Sequence, residues 1–112
     1  AAAGALYGLA SDASIIPVRA MNGLGSGSSA DIIGGLSWIV QQQSPSGGTT
    51  VDETAVINLS VSSVGTAMNQ AFTDADDAGL IIVIAAGNYK KDASLYSPQS
   101  LGGNAKNCGP VV

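Results

Sequence analysis

Apolar and polar positions follow one another in blocks along the chain, and each block has the period of one kind of element. Residues 14–21 (Ser-Ile-Ile-Pro-Val-Arg-Ala-Met) are a β-branched run that predicts a first strand, with Pro17 removing one ladder donor. A Gly/Ser loop occupies 22–29. Over 30–42, Ile32, Ile33, Leu36, Ile39 and Val40 recur on one helical face, and Ser28 with Asp31 three residues on has the form of a capping box. The polar, turn-rich stretch 43–54 predicts a surface insertion. A second strand is expected at 55–60. A second helix follows at 66–78, where Ala67, Met68, Ala71, Phe72, Ala75 and Ala78 keep helical spacing, and Gly79 suits the left-handed position after a helix end. Residues 80–85 are apolar throughout, as strands covered on both faces are. Past Asn88 the periodicity is lost and the chain reads as loop.

The order βαβαβ predicts an α/β domain, doubly wound, with parallel strands joined by right-handed crossovers and helices packed on the sheet. No repeat or internal boundary divides residues 1–112. In such a sheet, ligands collect at the carboxyl ends of the strands, so the loops 22–29, 61–65 and 87 onward are the places for chemistry. The last of these follows Ala85-Ala86-Gly87-Asn88. Two small residues and a glycine let backbone approach a ligand closely, and the amide offers one hydrogen-bond donor. That combination suggests an oxyanion site.

Composition narrows what such a site can be. There is no histidine and one cysteine, Cys108, which excludes an internal disulfide, a thiolate zinc cluster and a Ser-His pair within the chain. Cys108 reads as a small, inert thiol. Any general base acting with Asn88 must come from outside these residues. The net charge is −4 and Lys90-Lys91 is the one basic cluster, so no electrostatic footprint for nucleic acid exists. The apolar runs are far shorter than the ~20 residues a bilayer crossing needs, and Ala1-Ala2-Ala3-Gly4-Ala5 lacks the basic start of a signal peptide. A hydrophobic content of 46% suffices for one core.

Taken in order, Gly25-Ser26-Gly27, Trp38, Asn58-Leu59-Ser60 and Ala85-Ala86-Gly87-Asn88 resemble the interior of a subtilisin-like serine protease (subtilase), of the proteinase K branch in particular. Tyr7-Gly8-Leu9-Ala10, Asp12-Ala13-Ser14 and Val18-Arg19 extend the resemblance upstream. Asp92-Ala93, Tyr96-Ser97-Pro98 and Ser100 extend it downstream. It covers about residues 1–100. The resemblance implies a partial three-layer α/β fold with a parallel sheet, and serine endopeptidase activity on polypeptide substrates through an acyl-enzyme. Asn88 would be the oxyanion-hole donor. Ser60-Val61-Ser62 and Ala85-Ala86-Gly87 would be the two walls of the primary specificity pocket, and Gly25-Ser26-Gly27 the edge along which substrate lies as an added strand. The resemblance calls for no cofactor. It admits a structural calcium in the intact parent, with no residue of this chain assignable to it. Secretion is implied by the resemblance alone.

The departures are as informative. Ser62 and Ser63 stand where the family's pocket strand usually ends in two glycines, and their Cβ atoms restrict the backbone and narrow the cleft. After Ser100 the match decays: residues 101–107 look like an insertion, and Cys108-Gly109-Pro110-Val111-Val112 replaces a Val-Gly-Ala strand. The family's Gly-Thr-Ser-Met-Ala, His-Gly-Thr-His and Asp-Thr/Ser-Gly motifs do not occur. The resemblance therefore implies an interior piece of a catalytic domain, lying between the histidine and serine motifs, inactive alone and dependent on the remainder. The family's strand bearing the catalytic aspartate lies between the counterparts of the first and second strands here, so the piece is expected to fold marginally by itself.

Two other functions compete. A catalytically inactive subtilase-like module for binding or structure is favoured by Ser62 and Ser63. A dinucleotide-binding domain is suggested by Gly25, Gly27 and Ala30, which satisfy G-x-G-x-x-G/A, but the next strand ends Asn58-Leu59-Ser60 without the acidic residue that ribose needs. Asp74, Asp76, Asp77 and Gly79 imitate a calcium loop, yet Ala85 falls where the bidentate Glu belongs, so a solvated helix end is the reading. The sequon Asn58-Leu59-Ser60 reads as a buried strand, and Trp38 as core or helix–sheet packing.

Overall fold

Ser28 opens the first helix by the device its spacing predicts. Its Oγ accepts from the Asp31 amide at 3.1 Å, while the Asp31 carboxylate accepts from the Ser28 amide at 3.0 Å and hydroxyl at 2.7 Å. This complete capping box satisfies donors that a helix start otherwise leaves bare, and it launches α1 (Ser29–Gln42). A computed structural model describes residue 3 and residues 6–43 and 55–102. The elements after α1 are β1 (Val56–Leu59), β2 (Ser63–Val64), α2 (Asn69–Asp77), β3 (Ile81–Ile84) and β4 (Tyr96–Ser97), with single 3₁₀ turns at Ala93–Leu95 and Gln99–Leu101. The predicted insertion beyond Gln43 and Cys108 lie outside the described residues.

β1 and β3 pair in parallel, from Val56 opposite Ile81 to Leu59 opposite Ile84. The Ala85 amide adds a further rung, donating to the Leu59 carbonyl at 3.1 Å. Strand alternation then sorts the side chains: Ile57, Leu59, Ile82 and Ile84 turn toward the helices and join a core of Ile32, Leu36, Phe72 and Ala75, with Met68 and Leu80 fully enclosed. Each fully buried Leu- or Phe-sized side chain contributes roughly 1.5–3 kcal/mol. The fold class is α/β with a parallel pair, as the pattern predicts.

Several expectations need correction. Val56, Ile81 and Val83 are 58%, 50% and 49% exposed, so 80–85 is covered on one face and not on both. Both described helices pack against that one face. Residues 14–21 form no strand; they run without a ladder partner among the described residues, and Ile15 is 63% exposed. A cavity of about 250 Å³ separates this run from β1, with Ile16, Val18 and Ala20 on one side, residues 55–59 on the other and Leu36 and Ile39 of α1 between. A ladder needs strands about 4.8 Å apart, and the cavity holds these two beyond reach.

The second helix starts at Asn69 and not at residue 66, because Met68 occupies the cap with no side-chain acceptor and residues 66–68 make only a turn. Its end is as expected, with Gly79 at φ +89°. Trp38 is 39% exposed and outside the core, being two residues on from Leu36 and so off the buried face of α1. Asn58 sits on the exposed face of β1. The chain past Asn88 is not all loop: β4 pairs antiparallel with β2, Ser63 opposite Ser97 and Val64 opposite Tyr96. Strands of two residues have no period to detect. No described helix is long and apolar enough to cross a membrane.

Candidate active site

Because β1 and β3 are parallel neighbours, the loops that follow them leave the sheet at the same edge. After β3 the chain passes Ala85 and Ala86 to Gly87, whose φ of +97° is open to glycine at no steric cost. Asn88 follows at the surface, and no hydrogen bond to another described residue holds its side-chain amide. Tyr89 stacks on Tyr96 with ring centroids 5.3 Å apart and planes 11° apart, which fixes the chain just beyond Asn88.

The loop before α1 is built by Asn22. Its Oδ1 accepts from the Leu24 amide at 2.9 Å and the Ser26 amide at 3.1 Å, and its backbone N–H donates to the Ser26 carbonyl at 2.8 Å. The loop turns back on itself so tightly that a Cβ on Gly27 would run into the Ala20 carbonyl oxygen. Glycine is required there by close approach, whereas at Gly87 it is favoured by the backbone angle.

Three loops thus converge on one cleft of about 670 Å³. Gly25, Ser26 and Gly27 line one side; Ser60, Val61 and Ser62 line a second; Ala85, Gly87 and Asn88 line the third. Ser63 lines it as well. Of the residues predicted from sequence only Ala86 stays out of the lining, because alternate residues of an extended run face opposite ways and its neighbours face in.

Gln99 is among the lining residues that the sequence reading did not single out. Gln99 is 3% exposed, and its Nε2 donates to the Val61 carbonyl at 2.9 Å and to the Ala85 carbonyl at 2.8 Å. The 3₁₀ turn that carries it is pinned from α2: Asn69 Oδ1 accepts from the Ser97 hydroxyl at 2.6 Å, and Asn69 Nδ2 donates to the Ser100 hydroxyl at 3.1 Å. A long polar residue set between Ser97-Pro98 and Ser100 is the one clue the sequence offers.

No charged side chain of the described residues lines the cleft. Hydrogen bonds from the Ser28 hydroxyl and then the Ser28 amide hold the Asp31 carboxyl below its ordinary pKa, and the Ser94 amide does the same for Asp92. Among the described residues lining the cleft, Tyr89 alone has a titratable side chain. Those residues offer hydrogen-bond donors, acceptors and shape to a ligand, and no carboxylate, ammonium or imidazole. Among the described residues no three His, Cys, Asp or Glu side chains gather as a metal site.

The sequence pattern of the Subtilase family matches residues 1–107. This chain belongs to the subtilase family. It is 38% identical over 96 residues to an extracellular serine proteinase of Thermus sp. (strain Rt41A), covering 85% of this chain and 22% of that protein. It is 40% identical over 99 residues to subtilisin-like protease 4 of Trichophyton rubrum, covering 88% of this chain and 24% of the relative. The crystal structure of a cold-adapted subtilisin-like serine proteinase superposes with a TM-score of 0.75 at 31% identity, over 86% of this chain and 33% of the other. The chain thus spans about a quarter of the length of the curated relatives it matches. Subtilase membership displaces the dinucleotide reading of Gly25, Gly27 and Ala30.

Proposed function

We propose that this chain is part of a serine endopeptidase and supplies the oxyanion donor and the substrate-cleft walls, while the rest of the catalytic domain supplies serine, histidine and aspartate. The observation that carries the reading is the Asn88 amide, unengaged by any described residue, on a cleft shared with the Gly25–Gly27 edge and the walls at 60–62, Ala85 and Gly87. In this reading the serine oxygen attacks the scissile carbonyl, the histidine takes its proton, and the carbonyl oxygen becomes negative as the carbon turns tetrahedral. The Nδ2 of Asn88 donates to that oxygen. The bond to the leaving amine then breaks, the histidine returns the proton to it, and water hydrolyses the acyl-enzyme.

The primary pocket lies between Ser60-Val61-Ser62 and Ala85-Ala86-Gly87, and the substrate backbone lies along Gly25-Ser26-Gly27 through main-chain hydrogen bonds that are indifferent to sequence. Polypeptides are the substrates and secretion the address, in line with the extracellular Thermus relative. The reading admits a structural calcium in the intact parent and assigns no residue of this chain to it. Asp74 accepts from Gln70 Nε2 at 2.7 Å and Asp76 is buried in α2, and neither is assigned to it.

The test uses a fluorogenic peptide and a serine-directed phosphonate. The chain alone is expected to show neither turnover nor covalent labelling, and the intact parent both. Labelling of the isolated chain would refute the division of labour. An intact parent that folds, carries all three motifs and still takes no label would favour the inactive module, the reading toward which Ser62 and Ser63 lean.

A further inference from the structure

We propose that Gln99 is a positioning residue that ties the two walls of the primary pocket together and so sets the size of side chain the pocket accepts. The proposal rests on the endopeptidase reading above.

The Ala85 amide bonded to the Leu59 carbonyl is the last described rung between the strands that carry the walls. Beyond it the chains diverge toward Val61 on one side and Gly87 on the other, and a side chain takes over from the ladder. The two N–H bonds of Gln99 Nε2 go one to each wall, to the Val61 and Ala85 carbonyls. Flipping the amide would set an oxygen against two carbonyl oxygens, so the network itself fixes which end is nitrogen. The other end is sacrificed: Oε1 is buried and has no hydrogen-bond partner among the described residues. A hydrocarbon side chain of the same volume would carry no such penalty. The orphaned acceptor argues that this position is built around its two donors.

The tie is also held firm from behind. Asn69 grips Ser97 and Ser100, one on each side of Gln99, from the first turn of α2. Gln99 therefore connects the walls to a helix packed in the core, and their separation does not depend on loop backbone alone. A pocket of fixed width discriminates between side chains by size; one whose walls can part does so less.

The experiment compares the intact parent protease with Gln99→Met and Gln99→Glu on peptide anilides that differ only in the residue before the scissile bond, alanine or phenylalanine. The quantity read is the ratio of the two kcat/KM values, in which the fraction of folded enzyme cancels. Gln99→Met keeps the volume and removes both donors, and it is expected to move the ratio about tenfold toward unity, within the range that pocket fit commands. Gln99→Glu adds a readout that bulk packing would not give. Its protonated carboxyl can donate one O–H to one wall and its ionised form none, so the ratio should return toward wild type as pH falls, while that of Gln99→Met stays level.

An active wild type with the same ratio in both variants would overturn the tie and leave the protease reading standing. A wild type that folds and cleaves nothing would remove both proposals together. Should Gln99→Met yield no phosphonate-labelled sites, the Gln99→Glu profile decides alone, and a pH-independent ratio counts against the tie.

Discussion

A side-chain amide that engages the substrate oxygen only once that oxygen turns negative acts on kcat and barely on substrate affinity. Asn88→Ala in the intact parent is accordingly expected to lower kcat about 10²–10³-fold with KM little changed, a magnitude that comes from a subtilisin and is inherited here. Steady-state kinetics normalised to phosphonate-titrated sites would check it. A change of kcat below about threefold would end the oxyanion assignment of Asn88. This residue was legible because strand, small residues and amide stand in one continuous run. Gln99 was not, since its two acceptors lie 38 and 14 residues away and nothing local marks a side chain that bridges them.

Helix α1 carries a pH-dependent element in its cap. The Asp31 carboxyl is held below its ordinary pKa by the Ser28 hydroxyl and amide, so in the window between its folded and unfolded values the unfolded chain holds a proton that the folded chain has released. Its contribution to stability is complete above the unfolded value and is lost as pH falls through the folded one. Ser28→Ala removes the largest cause, and the NMR titration midpoint of Asp31 in the folded protein should rise toward the ordinary carboxylate value. An unmoved midpoint would show that the capping box does not set it. The cap could be read letter by letter because every partner lies within three residues. Residues 14–21 show the opposite case: β-branched side chains favour extended backbone, but a strand also needs a neighbour, and pairing is not written in the segment that is paired. The Val64–Tyr96 pairing was hidden for a different reason, its strands being too short to alternate.

For the molecule as a whole, the cavity between residues 14–20 and β1 and the bare outer face of β1 and β3 leave apolar surface in water that a stable domain would bury. The isolated chain is therefore expected to melt broadly, without a cooperative transition, and to give poorly dispersed amide NMR signals. A sharp two-state transition with dispersed signals would overturn this. The α/β class and the meeting of three loops at one cleft were readable from element order. Which face lacks a cover was not, because a wholly apolar run such as 80–85 has the same pattern on either side.

That run has a consequence beyond folding. Ile81–Ile84 is a β-branched, uncharged, proline-free strand, and with Ile81 and Val83 half exposed it matches the composition of segments that stack on copies of themselves. The strand that delivers Asn88 to the cleft is therefore also an aggregation hazard, and whatever shields its outer face protects solubility.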